Sequence, residues 1–239
     1  MNALIAEARK KYHHELLSDG LLTIDKGGIP SNADRHSDLS VAIARGIADQ
    51  LMAEVHEKAV GQTSGAKFEL YNMRFLIDTF PKLQNLRPGK WHIIKLGNRS
   101  VVKTSRFAQY EHLEYLNRLT KSDARLAASM GNDYMIAPDV VIYRETETDE
   151  TINEQIVIVD DSVCHLADIR SVNGGHPILH ASVSAKWTMR SDRAQNSRTE
   201  ALGLIRNRKG RLPHIVVVTG EPMPVSYTHL RAHETSAHL

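Results

Sequence analysis

Cysteine occurs once in this 239-residue sequence, at Cys164. That count excludes a disulfide framework and a Cys-based zinc site, and a reducing, cytoplasmic setting fits it. Long apolar runs are missing too. The opening MNALIAEARKKYHHELL is amphipathic and charged, which excludes a signal-peptide core, and no stretch approaches a membrane span. Aromatics are only 5%, so Leu, Ile, Val, Ala and Met must fill the core; 41% hydrophobic residues are enough for one large domain. Net charge is nearly absent at +2, and alone it selects no partner. Its distribution is more telling. Between Lys186 and Arg211 lie eight Lys or Arg against two acids, Asp192 and Glu200. A basic patch on a near-neutral protein suits a polyanion docking at one place.

Periodicity predicts helices first and a sheet afterwards. Leu4, Ile5, Ala8, Tyr12 and Leu16 recur at helical spacing through residues 2–18, and Gly20 is the stop. After the polar DKGGIPSNADRHSD a second helix is expected over Leu39–Ala59. GQTSG breaks the pattern, and a third helix runs from about Ser64 toward Phe80. WHIIKLG reads as a strand, and residues 108–130 as one helix with Tyr110, Leu113, Leu116 and Leu119 along one side. Then DVVIYRE, QIVIVDD, LHASVSAKWT and HIVVVTG are short and β-branched, as sheet-interior strands should be. A helix over Asp192–Arg206 separates the last two. The expected class is α/β: a central mixed sheet flanked by helices on both faces.

Chemistry-bearing residues gather at the strand ends. APDVVIY places Pro138 and Asp139 at the mouth of a strand. SVSAKWT places Ser184 and Lys186 on one face of another, because side chains two apart point the same way. With Glu200 this is an acid, a lysine and a second acid, the set that metal-dependent phosphodiester hydrolysis needs. The same residues serve equally as a turn cap and solvated surface charges. Between Lys186 and Glu200 stands Arg190-Ser191-Asp192-Arg193, where Asp192 is a natural N-cap and the helix N-terminus favours phosphate. Arg suits guanine O6 and N7, and Asp suits the cytosine amino group. A surface cluster of Arg–Asp ion pairs is the plainer alternative. The thirteen histidines offer no Cys or His partners at ligand spacing; His13, His14, His176 and His180 suit surface, turn or core roles.

The segment WTMRSDRAQNSRTEALGLIRNRKGRLPHIVVVT resembles the NgoMIV-type restriction endonucleases of the PD-(D/E)xK nuclease superfamily. So do SNAD at 31–34, GIAD at 46–49, GQTSG at 61–65, RPG at 87–89 and PDVV at 138–141, in order through most of residues 1–224. The resemblance implies a restriction-endonuclease-like fold and a type II enzyme that cuts duplex DNA at a palindrome with a CCGG core, GCCGGC in full. It also implies Mg²⁺ as cofactor, a homodimer or homotetramer, and a cognate methyltransferase in the same system. Ser184 stands where the common motif has an acid, and in this branch Glu200 supplies the missing carboxylate. By the same resemblance Asp139 is the central metal ligand, assisted by the backbone carbonyl of Ala185 and by Glu200. Lys186 acts on the water, and Glu69 completes the acidic site. Arg190, Asp192 and Arg193 would read the CCGG core, Gln62 the minor groove and Asp34 the outer pair. A helix-entry turn for Gln62 and a loop cap for Asp34 stay open.

After residue 224 the text changes. VSYTHLRAHET, Val225–Thr235, matches one reading frame of a transposase mosaic-end sequencing adapter over eleven consecutive residues. The expectation is an endonuclease domain over 1–224, shortened at its C-terminus, with 225–239 an adapter-derived or disordered tail. Two other functions remain open at this point: a repair or recombination nuclease of the same superfamily without base specificity, and a DNA-binding module inactive through truncation.

Overall fold

The computed structural model describes residues 2–55, 61–96, 104–130, 138–189 and 191–221. Within them run the helices α1 (Leu4–Ser18), α2 (Asp38–Gln50), α3 (Gly61–Thr79), α4 (His112–Ser122), α5 (Ala124–Met130), α6 (Asp149–Ile152) and α7 (Ser191–Asn207). The strands are β1 (Trp91–Lys95), β2 (Val140–Arg144), β3 (Ile178–Lys186) and β4 (His214–Thr219), ordered β1-β2-β3-β4 in one sheet. β1 lies antiparallel to β2, pairing Trp91 with Arg144 and Lys95 with Val140. β2 lies antiparallel to β3, pairing Val140 with Val183. The register then slips, since Ile142 faces Ala181 but Tyr143 faces Leu179, and His180 is left over as a bulge. Gly220 N–H, just past β4, donates to the carbonyl of Lys186 at the end of β3 at 3.0 Å, so these neighbouring strands meet at their C-terminal ends and run the same way. The sheet is mixed, and the α/β class holds.

The chain forms two compact units. Among the described residues, unit 1 takes in those within 2–79, 184–198 and 217–221, and unit 2 those within 80–183 and 199–216. In unit 1, Leu16, Leu21, Leu22, Phe68, Tyr71, Ala185 and Trp187 form the core. Gly20 takes the left-handed conformation (φ +64°) that ends α1 and turns Leu21 and Leu22 back onto it. In unit 2 the core is Leu96, Phe107, Tyr110, Leu113, Val141, Tyr143, Leu179 and Leu204.

Several expectations need correction. The second helix stops at Gln50 rather than Ala59, because Met52 turns left-handed (φ +57°) and Val55 bridges to Ile24; positions 56–59 lie outside the described residues. GQTSG does not precede the third helix but opens it, from Gly61. The first N–H groups of a helix lack partners within it, so a polar first turn is tolerated. The helix expected over 108–130 is broken at Asp123, which is extended and whose carboxylate accepts from Arg125 N–H (2.9 Å) and Leu126 N–H (3.2 Å). QIVIVDD is no strand. Asn153 Oδ1 accepts from Ile158 N–H (2.8 Å) and Val159 N–H (3.0 Å), taking main-chain groups that a ladder would need. Asp192, expected as an N-cap, is the second residue of α7. No helix among the described residues is long and apolar enough to cross a membrane. The tail at 225–239 lies outside the described residues.

Candidate functional site

Unit 2 carries two of the expected carboxylates. Asp139 directly precedes β2, whose residues Val140–Tyr143 are all buried, so the aspartate begins where the buried strand ends. Its carbonyl accepts from Leu96 N–H at 3.2 Å, tying the position to the residue after β1. Strand alternation puts Asp139 on the face of Val141 and Tyr143, which belong to the unit 2 core. Glu200 lies one helical turn before Leu204, a member of the same core. Leu204 is held further by Tyr110, whose hydroxyl donates to its carbonyl at 2.9 Å and whose phenol is pushed above its ordinary pKa by burial. Asp139 and Glu200 are both half-buried.

Unit 1 carries the lysine. β3 ends Ser184-Ala185-Lys186, with Ser184 and Ala185 buried and Lys186 half-buried. Alternation sends Ala185 and Trp187 into the unit 1 core and leaves Ser184 and Lys186 on the other face. Trp187 meets Phe68 of α3 edge-on, ring centres 5.1 Å apart. Glu69, next along α3 and half-buried, is thereby held to the unit that holds Lys186. Gly220 closes the strand end: its N–H reaches the Lys186 carbonyl, and its carbonyl accepts from Asn32 Nδ2 at 2.6 Å. A Cβ there would stand 2.5 Å from the Trp187 ring, so this approach requires glycine.

Asp34 sits half-buried in the loop before α2, its N–H donating to Ser40 Oγ (3.0 Å) and its Oδ1 accepting from His36 N–H (3.1 Å). That bonding also satisfies the loop-cap reading. Arg190 lies outside the described residues. Gln62 is placed in the first turn of α3, and Asp192 and Arg193 in the first turn of α7. Sequence reading missed Asn32, Ser40 and Glu221, all buried and polar. The only signal was a glutamate following a strand and glycine in TGEP. Among the described residues, no three His, Cys, Asp or Glu side chains gather as a metal-binding group.

A family model described as NgoMIV restriction enzyme matches residues 12–233. The chain is 46% identical over 225 residues to the type II restriction enzyme NgoMIV of Neisseria gonorrhoeae, covering 94% of this chain and 79% of that protein. The crystal structure of the type IIF restriction endonuclease Bse634I with cognate DNA aligns at 18% identity over 80% of this chain and 68% of that one, with a TM-score of 0.41.

Proposed function

The chain belongs to the NgoMIV restriction enzyme family and is a type II restriction endonuclease; from that premise we propose that it cuts both strands of a palindrome with a CCGG core, GCCGGC in full, using Mg²⁺. The family match over residues 12–233 carries this reading, since Asp139, Lys186, Glu200 and Arg190–Arg193 all fall within it.

The donor chemistry suits the metal. Asp139, Glu200 and the Ala185 carbonyl are hard oxygen donors, and Mg²⁺ is characteristically held by one or two carboxylates while keeping much of its own water. Bound there, Mg²⁺ would neutralise charge on the scissile phosphate. Lys186 orients the attacking water, with Ser184 beside it on the strand face and Glu69 adding negative charge. The water oxygen bonds to phosphorus as the P–O3′ bond breaks. The electron pair passes to the 3′ oxygen, which takes up a proton, leaving a 3′-hydroxyl and a 5′-phosphate.

Arg190 and Arg193 donate to guanine and Asp192 accepts from cytosine in the major groove, while Gln62 reaches the minor groove and Asp34 the outer pair. A palindrome calls for two active sites, hence a homodimer or a homotetramer. A methyltransferase of the same specificity would protect the host. The test is digestion of duplexes carrying GCCGGC, CCGG with other outer pairs, or no CCGG, with Mg²⁺ and with EDTA. Cutting confined to GCCGGC and lost in EDTA is expected. Equal cutting of CCGG-free DNA would sink the reading in favour of a nonspecific nuclease. Specific binding without cutting would leave a DNA-binding module.

A further inference from the structure

We propose that Glu221 is a positioning residue that ties Met189, from which the chain leads into Arg190, and the Asp34 loop to the end of β3. The inference rests on the reading of those residues as base contacts. Glu221 is 1% exposed, and a carboxylate so withdrawn from water is costly unless its oxygens are bonded. Both are. Oε2 accepts from the Met189 N–H at 2.6 Å, and Oε1 accepts from the Ser40 hydroxyl at 3.2 Å. The first bond is short and charge-assisted, and it lands on the residue immediately before Arg190.

The second bond leads to the loop. Ser40 Oγ itself accepts from Asp34 N–H at 3.0 Å, and Ser40 N–H is held by the N-cap Ser37 at 3.3 Å. Glu221 is in turn locked by Thr219, whose hydroxyl accepts from Glu221 N–H and donates to its carbonyl, each at 3.1 Å. With Gly220 bonded to Lys186 and Asn32, residues 219–221 are bonded to the end of β3, to Met189 and to both sides of the Asp34 loop. A forked acceptor is what this position needs: it answers a main-chain N–H on one side and a hydroxyl on the other. An apolar side chain would leave both donors buried and unanswered, which costs more than never having had the bonds. Base contacts discriminate only when their side chains are held to within about 0.5 Å. A rigid exit from β3 therefore bears on specificity and not only on stability.

The test is binding, with Ca²⁺ in place of Mg²⁺, to three duplexes: GCCGGC, the same site with its outer pairs exchanged, and one without CCGG. Melting curves give the folded fraction of each variant. Glu221→Ala should lower the preference for CCGG over CCGG-free DNA, and for the correct outer pair, by roughly tenfold each. Ser40→Ala cuts only the branch to Asp34 and should weaken outer-pair preference alone. Glu221→Gln, which can still accept from Met189 and donate to Ser40, should restore both preferences. Glu221→Ala binding all three duplexes more weakly by one common factor would overturn the proposal, showing a merely structural role. If Glu221→Ala does not fold, Ser40→Ala with full outer-pair preference overturns it instead. A wild-type chain with no preference for CCGG would bring down the underlying reading and this one with it, and that result is visible before any substitution.

Discussion

The two units of this chain combine apolar and polar burial in different ways. Unit 2 is built on an apolar cluster in which Phe107, Tyr110 and Tyr143 pack with Leu and Val, and it holds an ion pair between the buried Arg170 and the half-buried Asp149. Unit 1 has an apolar core beside buried polar groups that tie its loops together, Thr23, Ser31, Asn32, Ser40 and Glu221, whereas the buried Gln109 of unit 2 bonds the main chain of β3 at Leu179. Ser31 Oγ donates to the Leu21 carbonyl (2.6 Å) and accepts from Thr23 N–H (3.2 Å), so even the turn after α1 is held by directional bonds. Apolar clusters tolerate exchange of one side chain for another, whereas satisfied polar networks specify one arrangement. The difference follows what each unit presents. Asp139 and Glu200 adjoin the apolar core of unit 2, while in unit 1 the residues proposed to read bases follow a strand end held by directional bonds.

The largest expected effect tests whether chemistry belongs to one unit. Asp139→Ala should slow cleavage of GCCGGC by about a thousandfold or more, the several kcal/mol that metal-held charge contributes. Specific binding should stay, since its energy comes from phosphate and base contacts. Lys186→Ala, in the other unit, should do the same, so the comparison concerns how residues are held rather than which unit reacts. Robust cutting by either variant would remove its residue from the site.

Next is the ion pair of unit 2. Arg170 is 2% exposed, and its Nε and Nη2 donate to the two Asp149 oxygens at 2.8 and 2.6 Å, holding that carboxyl below its ordinary pKa. Nη2 also reaches the Asp160 carbonyl at 3.1 Å. Arg170→Ala leaves Asp149 without its partner and should lower the melting temperature by several degrees, with preference among DNA sites unchanged. A change in site preference instead would show that unit 2 also governs reading. Smaller still, Arg190→Ala or Arg193→Ala should each remove about 1–3 kcal/mol of discrimination at a guanine. Arg208→Ala and Lys209→Ala should weaken all sequences alike and flatten the salt dependence of binding. If the first pair behaves like the second, these arginines are phosphate clamps.

What could be read from the sequence follows the same division. β2 and β3 were legible because β-branched runs announce buried strands, and with them came the placement of Asp139 and Lys186; HIVVVTG is a strand too, but no residue of β4 is buried, because it lies last in the sheet order of the described residues. QIVIVDD has the same texture, but Asn153, which occupies its main chain, carries no periodic signal. Asp123 likewise interrupts a run of helical spacing with a cap that a count of leucines does not register. The polar network of unit 1 was invisible for another reason. Glu221 meets Ser40 across 181 residues and Met189 across 32, and nothing local distinguishes it from a surface glutamate. Packing leaves a pattern in composition, and long-range hydrogen bonds do not.

The smallest predicted effect concerns an ionisable ring in unit 2. His180 is the bulged residue of β3, its ring 4.9 Å from Trp91, 5.6 Å from Phe80 and 4.9 Å from His214. Arg87 Nη1 stands 3.4 Å from its Nε2. Burial, then the neighbouring His214, Arg87 and Arg211, push its pKa down from 6.5 to about 4. The folded chain therefore prefers a neutral ring. Above pH 6.5 both folded and unfolded states are neutral here and the stability is complete. As pH falls from there to about 4, the unfolded chain takes up a proton that the folded one refuses, and stability drops. Allowing for the ring's partial exposure, the loss between about pH 7 and pH 5 should be about 1 kcal/mol. His180→Phe removes the titrating group and keeps an aromatic ring in the cluster, so its melting temperature should depend less on pH across that window. Wild type and His180→Phe losing the same stability on acidification would mean the proton is taken up elsewhere.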